Sequence, residues 1–403
     1  MPAPHARLLH IALTYIGFIS LGLPDGLLGV AWPSMRAFFH LPLDALGPFL
    51  VFFTLGYLLA SVSSGRLLAR LNVGVLLALS CLATAASLLG YALTPWWSVM
   101  IAFAGLSGLG AGAIDTGLNA YAAIHFSPRV VSWLHACYGV GATSGPLIMS
   151  NVMACGFTWQ AGYGIVGLGQ LVLAGCFGLT AHLWSTSVTA PGAATPDAVA
   201  SVSPWDTLRR PEVWLSIAVF FVYTGIEAAA GTWVYSLLTA MRGIPAMTAG
   251  LWVSIYWGSL TVGRLLSGVV IGWVTVPQLL RCCIVGMALG AALIWAQLTV
   301  LLSFVGFALM GLAAAPIFPA LIATTPARLG ARHATHSIGF QIAAAVLGQS
   351  LLPGTIGLLA QAAGLEVVSP VLLGAALLLL GLHEALLAMH TPTTRYEESP
   401  HLP

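Results

Sequence analysis

Twelve stretches of about 20 or more largely apolar residues follow one another along the chain, and they constrain its fold more than any other feature. A helix needs about 20 such residues to cross a hydrocarbon core ~30 Å thick, so each stretch predicts one membrane-spanning helix. The stretches cover residues 8–32, 44–70, 73–93, 97–125, 130–155, 159–184, 213–240, 246–272, 276–296, 298–326, 333–362 and 366–390. Little chain remains for a soluble domain. In lipid every backbone polar group needs an internal partner, so the expected fold class is an all-α membrane protein. The first stretch is too long for the apolar region of a signal peptide and reads as a retained helix.

The longest polar break, residues 185–212, holds Pro191, Pro196, Pro204 and Pro211 among Ser, Thr and Ala, which is linker composition. It divides the spans six and six. The expected organisation is an N-terminal half at 1–184, a linker at 185–212, a C-terminal half at 213–390 and a tail at 391–403. An offset of 202 residues places Asp25 on Glu227, Gly29 on Gly231, Gly56 on Gly258 and Tyr138 on Phe340. The GRLL run at Gly65–Leu68 recurs at Gly263–Leu266, at an offset of 198. Two related six-helix halves joined by a linker is the plan of secondary transporters built from parallel repeats.

Charge excludes other classes. Only 6% of the residues are Asp, Glu, Lys or Arg, and 59% are apolar; soluble domains carry about 25% charged residues. An ordinary soluble enzyme, a disordered chain and a nucleic-acid binder are all excluded. All 13 basic residues are Arg. Without Lys there is no phosphate-binding P-loop and no Schiff-base chemistry, so no cofactor is expected. The six Cys form no CxxC or zinc spacing and read as small hydrophobes. His333 and His336 stand at a helix start beside Arg328 and Arg332, where packing or solvation is the reading rather than a metal site.

The Arg residues also give an orientation. Arg7, Arg66, Arg70, Arg129, Arg209, Arg210, Arg281, Arg328, Arg332 and Arg395 all fall at one side of the predicted bundle, and only Arg36 and Arg242 fall on loops of the other. Basic residues favour the cytoplasmic side. The expectation is therefore a multi-pass inner or plasma membrane protein with both termini and the linker cytoplasmic.

Three carboxylates are placed inside predicted spans: Asp25, Asp115 and Glu227. An ionisable group at membrane depth costs at least about 2.5–3.5 kcal/mol, and burial there favours the uncharged, protonated form of a carboxyl. That is the chemistry of a proton-coupled carrier. The plainer alternative is that each one pairs with a buried Arg or caps a broken helix. Arg264 is the only Arg at comparable depth, so pairing does not account for all three. Asp25 lies in Gly22-Leu-Pro-Asp-Gly26, where Pro24 removes a backbone donor. Asn119 lies one turn beyond Asp115, on the same face.

Asn119, Tyr138, Trp233, Tyr256, Trp257 and Gln341 are candidate substrate contacts, since amides bond hydroxyls and aromatic faces stack on sugar rings. Helix packing is the competing reading for each. His135 is a candidate gate or proton relay, with interface packing as its alternative. Pro316, Pro319 and Pro353 mark kinks.

These residues resemble the major facilitator superfamily across essentially the whole chain. Its loop signature after the second helix runs roughly GxLaDRxGRR; here the segment is Gly65-Arg-Leu67-Leu-Ala69-Arg70-Leu-Asn72, with Ala69 at the Asp position. The resemblance makes Arg66 and Arg70 gating residues. Within the superfamily the motifs are similar to the fucose:proton symporter branch. Asp25 looks like its first-helix aspartate. Gly110-Ala-Gly-Ala-Ile-Asp115-Thr-Gly-Leu-Asn119 looks like its fourth-helix G-x-E-T-x-x-N, with Asp115 in place of Glu. Gly225-Ile-Glu227 with Gly231-Thr-Trp233 resembles its seventh helix, and Tyr256-Trp257-Gly258 with Gly263-Arg264 its eighth.

Gly141-Ala-Thr-Ser-Gly145-Pro146 instead resembles the GxxxGP of drug:proton antiporters. The resemblance thus implies a transporter, not an enzyme, moving a small polar solute, a sugar or related metabolite, with protons. Efflux of drugs or metabolites and a non-transporting sensor are the alternatives. Sodium also suits carboxylates, so the coupling ion stays open. The implied partners are solute, coupling ion and lipid bilayer, with no nucleic acid, and the implied state is a monomer.

Overall fold

A computed structural model describes residues 4–184, 203–270 and 274–389. Most of the expected linker, the tail and Arg395 lie outside the described residues.

Among the described residues fourteen α-helices follow in order. The N-terminal half has α1 (Pro4–Phe39), α2 (Leu46–Arg70), α3 (Val73–Leu93), α4 (Trp97–His125), α5 (Pro128–Ala154) and α6 (Trp159–Thr180). A short α7 (Pro204–Leu208) precedes the C-terminal half: α8 (Pro211–Ser236), α9 (Ala246–Val270), α10 (Val276–Ala296), α11 (Val300–Ala314), α12 (Ile317–Leu329), α13 (Ala331–Ala363) and α14 (Val368–Ala388). Ten helical segments are long and apolar enough to cross a membrane, with α11 and α12 counted as one. The remaining long helices, α5 with 27 residues and α9 with 25, complete two sets of six. No strand occurs among the described residues.

Three boundaries differ from the sequence expectation, each for a physical reason. The first span, expected at 8–32, continues to Phe39 and takes Arg36 into its last turn. Pro24 and Pro33 lie inside it without ending it, because neighbouring helices support a proline-containing membrane helix. The tenth span, expected at 298–326, is two helices broken at Ala315 and Pro316. Pro316 and Pro319 offer no backbone N–H there. The end of the expected linker folds as α7, where the Ser203 hydroxyl accepts from the Trp205 N–H at 3.2 Å.

Packing repeats between the halves. In the first half α1 packs on α5, α2 on α4, and α3 on α4 and α6; in the second α8 packs on α13, α9 on α11, and α10 on α11 and α14. Glycines allow the tightest of these seams. Gly22 and Gly26 of α1 face the backbone of Tyr138, Ala142 and Gly145, and Gly141 and Gly145 of α5 face the backbone of Ile19 and Leu23. A Cβ at any of the four would meet main chain. The Gly141–Gly145 motif is therefore used for helix approach.

The halves meet along α5 and α9, α2 and α13, and α1 and α8. Helix direction puts Arg66, Arg70, Arg281, Arg328 and Arg332 at one end of the bundle. The opposite end is sealed between the halves. There the Leu43 N–H donates to Gln361 Oε1 at 2.8 Å, and a Cβ on Gly354 would lie 3.4 Å from the Gly47 Cα. Gly29 of α1 abuts the backbone of Gly231 and Thr232 of α8 nearer the centre.

Candidate functional site

The deep carboxylates converge where the two halves face each other, and each receives a tyrosine hydroxyl. The Tyr138 hydroxyl on α5 donates to Asp25 Oδ2 at 2.6 Å. The Tyr57 hydroxyl on α2 donates to Asp115 Oδ2 at 2.6 Å, while Asn119 Nδ2 donates to Asp115 Oδ1 at 2.9 Å. The Tyr223 hydroxyl, one turn before Glu227 on α8, donates to Glu227 Oε2. Asp25 and Glu227 lie within electrostatic range of each other across the α1–α8 seam, and Tyr57 within range of Asp25.

Their surroundings differ. Glu227 is buried and has a cation: Arg264 Nη2 of α9 lies 3.7 Å from Glu227 Oε1. Asp25 and Asp115 have no ion-pair partner among the described residues. Both oxygens of Asp115 are bonded. Asp25 is exposed although it sits near the middle of α1, and its Oδ1 has no hydrogen-bond partner among the described residues. Of the three, Asp25 alone has an oxygen with neither a hydrogen-bond nor an ion-pair partner among the described residues.

The candidate substrate residues divide. Tyr138 and Asn119 are half-buried and join the carboxylates. Tyr256 joins through the backbone: its hydroxyl donates to the Glu227 carbonyl at 2.9 Å, and its ring stacks on Phe307 at 4.7 Å. Trp257 lies against Gly231, where a Cβ would meet the indole ring, and its buried Nε1 has no hydrogen-bond partner among the described residues. Trp233 and Gln341 are elsewhere and fully buried. Trp233 Nε1 donates to the Pro353 carbonyl at 2.8 Å, tying α8 to α13. Gln341 Nε2 donates to Ser216 Oγ at 2.7 Å and to Thr325 Oγ1 at 3.1 Å, joining α13 to α8 and α12. Their polar groups are occupied by helix packing.

Of the candidate gates, Arg66 and Arg70 are exposed in the last turns of α2. His135 is exposed on α5, edge-on to Phe18 at 5.6 Å and within electrostatic range of Arg264. It stands between the carboxylate cluster and the arginine-rich end.

Sequence reasoning does not single out Tyr57 or Tyr223, and it gives Arg264 as a possible counter-ion and as part of the eighth-helix resemblance. Tyr223 carries a usable signal, since it stands four residues before Glu227 on one helix face. Tyr57 carries none, because 58 residues separate it from Asp115. A further carboxylate inside the last span, Glu384, is also missed. It lies near the arginine-rich end of α14 and pairs with Arg281 Nε at 2.5 Å and Nη2 at 2.6 Å. Among the described residues no group of His, Cys, Asp and Glu is arranged to hold a metal ion.

Two six-helix halves that meet beside three carboxylates placed well inside membrane-spanning helices suit one class, a polytopic membrane transporter. A profile of the Major Facilitator Superfamily matches residues 14–353, and the chain belongs to that superfamily. It is 23% identical over 398 residues to Bypass of stop codon protein 6 of Saccharomyces cerevisiae, covering 89% of this chain and 78% of the yeast protein. Similar solved structures include a variant of the nucleoside transporter NupG, with TM-score 0.77 and 15% identity, covering 95% of this chain and 100% of that one. A bacterial homolog of the human lysosomal transporter Spinster, in an inward-facing and occupied conformation, gives TM-score 0.78 at 13% identity, over 96% and 98% of the two chains. The peptide transporter POT in complex with sulfate gives 0.73 at 12%, over 94% of each.

Proposed function

We propose that the protein is a proton-coupled carrier of a small polar solute, a sugar or related metabolite, working by alternating access. The observation that carries this is the free Oδ1 of Asp25, exposed at mid-bundle between the halves. A carboxyl there can take a proton or a solute hydroxyl but has no counter-ion to neutralise it. Asp115, held by Tyr57 and Asn119 and likewise without a cation, is the second proton site. Glu227, paired with Arg264, is the third carboxyl of the same cluster. Asn119, Tyr138 and Trp257 offer the solute an amide, a phenol and an indole. Trp233, Tyr256 and Gln341 hold the helices that carry them.

The likeness of motifs to the fucose:proton symporter branch supports a sugar-like solute. A nucleoside transporter is among the structural neighbours, and the hydroxyls of a nucleoside are the kind of group that amides and phenols bond. We place the arginine-rich end in the cytoplasm, in an inner or plasma membrane. The sealed opposite end then makes this an inward-facing state, with Arg66, Arg70 and His135 along the open side. The carrier works as a monomer.

A thermal-shift screen of hexoses, pentoses and nucleosides at two pH values tests the reading. A ligand that binds the folded state raises Tm according to its concentration over Kd. A co-transported solute raises Tm more at the lower pH, and Asp25→Asn removes that difference. A panel in which no compound stabilises the protein, or all do so equally at both pH values, contradicts it.

A further inference from the structure

We infer that a groove on the outside of the bundle, at the boundary between the halves, seats one acyl chain of a membrane lipid, which touches both halves at once. The inference rests on the membrane-spanning fold and is independent of proton coupling.

The groove has a volume of about 640 Å³ and is walled by α5 from one half and by α9 and α11 from the other. Helical spacing decides which way it opens. On α9 it is lined by Leu251, Ile255, Gly258 and Val262, which share one face. Tyr256 and Arg264, which reach Glu227, lie on the opposite face of that helix. On α11 the groove takes Val305, Ala308 and Leu312, whereas Phe307, which stacks on Tyr256, points away from it. Leu251, Val262, Val305 and Leu312 are exposed. The groove therefore backs onto the carboxylate cluster and opens where the bundle meets lipid.

Its surface is hydrocarbon. Thr143 Oγ1 donates to the Gly139 carbonyl at 2.7 Å and Ser259 Oγ to the Ile255 carbonyl at 2.7 Å, each within its own helix. Ser254 is buried beneath the surface. A sugar, a peptide or a lipid head group finds no partner there. Depth points to the same occupant. The groove runs from Leu251 to Val262, about 16 Å at 1.5 Å per residue, and crosses the middle of α9 at Gly258. One leaflet of a ~30 Å core is about as thick, and at that depth only acyl chains are present.

A chain already in hydrocarbon gains nothing from leaving water, so fit decides, as it does between helices in lipid. A flat helix face touches a chain from one side. Here three helices touch it, and each added atom contact counts. The floor is the seam itself: a Cβ on Gly258 would stand 3.5 Å from Thr143 Cγ2 across it. The seated chain lies along the line where α5 meets α9 and so bridges the halves.

The test is photolabelling of the full-length protein in phosphatidylcholine nanodiscs that hold a trace of phosphatidylcholine with a diazirine at the middle of one acyl chain. Mass spectrometry maps the insertion. Insertion per residue at 255–262 and 305–312 should exceed that at Leu171, Val172 and Leu179, exposed apolar residues of α6, by about fivefold, the weight of roughly ten added atom contacts. Ala308→Phe places a ring in the groove and should bring its insertion down to the α6 level, with α6 unchanged. A diazirine beside the head group should give no excess in the groove.

Equal insertion in the groove and on α6 overturns the proposal, since the groove then holds only the lipid that coats any helix. An excess that survives in Ala308→Phe overturns it too. If that variant does not fold, the head-group probe decides: an excess with the mid-chain diazirine alone supports a seated chain, and an equal excess with both overturns it. Solute-driven acidification of vesicles is read separately, so neither result touches the transport reading.

Discussion

Glu227 and Arg264 show how a single ion pair divides the work of three carboxylates. Glu227 is buried with one cation nearby, 3.7 Å away, whereas Asp25 and Asp115 rely on neutral donors. Removing one member of a buried pair leaves the other uncompensated, at about 3–5 kcal/mol. Arg264→Met should therefore lower stability by about 3 kcal/mol. Arg264→Met with Glu227→Gln should recover most of the loss. Thermal melts of the two variants check both outcomes. Asp25, Asp115 and Glu227 are legible in the sequence because a chain with 6% charged residues makes a carboxylate deep in a span conspicuous, whereas Glu384, in the last turns of its span, is passed over. The tyrosines that hold them are not, with Tyr223 the exception. Tyr57 meets Asp115, and Tyr138 meets Asp25, only once the helices are packed.

At the scale of helices, the α1–α5 seam leaves no room for side chains at its glycines. Gly22 faces the Tyr138 carbonyl and the Ala142 amide so closely that a side chain would displace backbone. Overpacking typically costs about 1–3 kcal/mol, and main chain yields less readily than a flexible side chain. Gly22→Ala should lower Tm clearly and Gly22→Val should lower it further. Gly65 offers the contrast, since a Cβ there meets nothing within 4 Å. Gly65→Ala should be neutral or stabilise by up to about 1 kcal/mol through helix propensity. A Gly22→Ala protein as stable as Gly65→Ala would contradict the seam. The spans themselves read directly from the sequence, since length and apolarity decide them. Their ends read less well: α1 runs past Pro33 because its neighbours, not its own sequence, hold it. The glycine motif of α5 resembles one from antiporters, yet close helix approach suffices to explain it.

The whole molecule has two halves with matching helix contacts and a seal at one end. The six-plus-six plan is legible from the proline-rich break and the 202-residue offset. The seal is not, because it brings together residues 43–47 and 354–361, more than 300 positions apart, only once the halves are packed. Gly47 and Gly354 approach closely across it, within the range a disulfide can bridge. Gly47→Cys with Gly354→Cys should therefore arrest transport under oxidant and recover under reductant. The wild type, with its six Cys, serves as the control. Arrest that reductant does not reverse, or no arrest once the crosslink has formed, would contradict opening at that end.

The central claim is that solute and proton move together through Asp25. Its most direct measurement is the internal pH of vesicles carrying the purified protein, followed with a pH-sensitive dye after external solute is added with no pH gradient imposed. The solute used is the compound that gives the largest shift in the thermal screen. The lumen should acidify in proportion to solute taken up, and not at all with Asp25→Asn. Solute uptake without any change in internal pH, or unchanged acidification in Asp25→Asn, would contradict it.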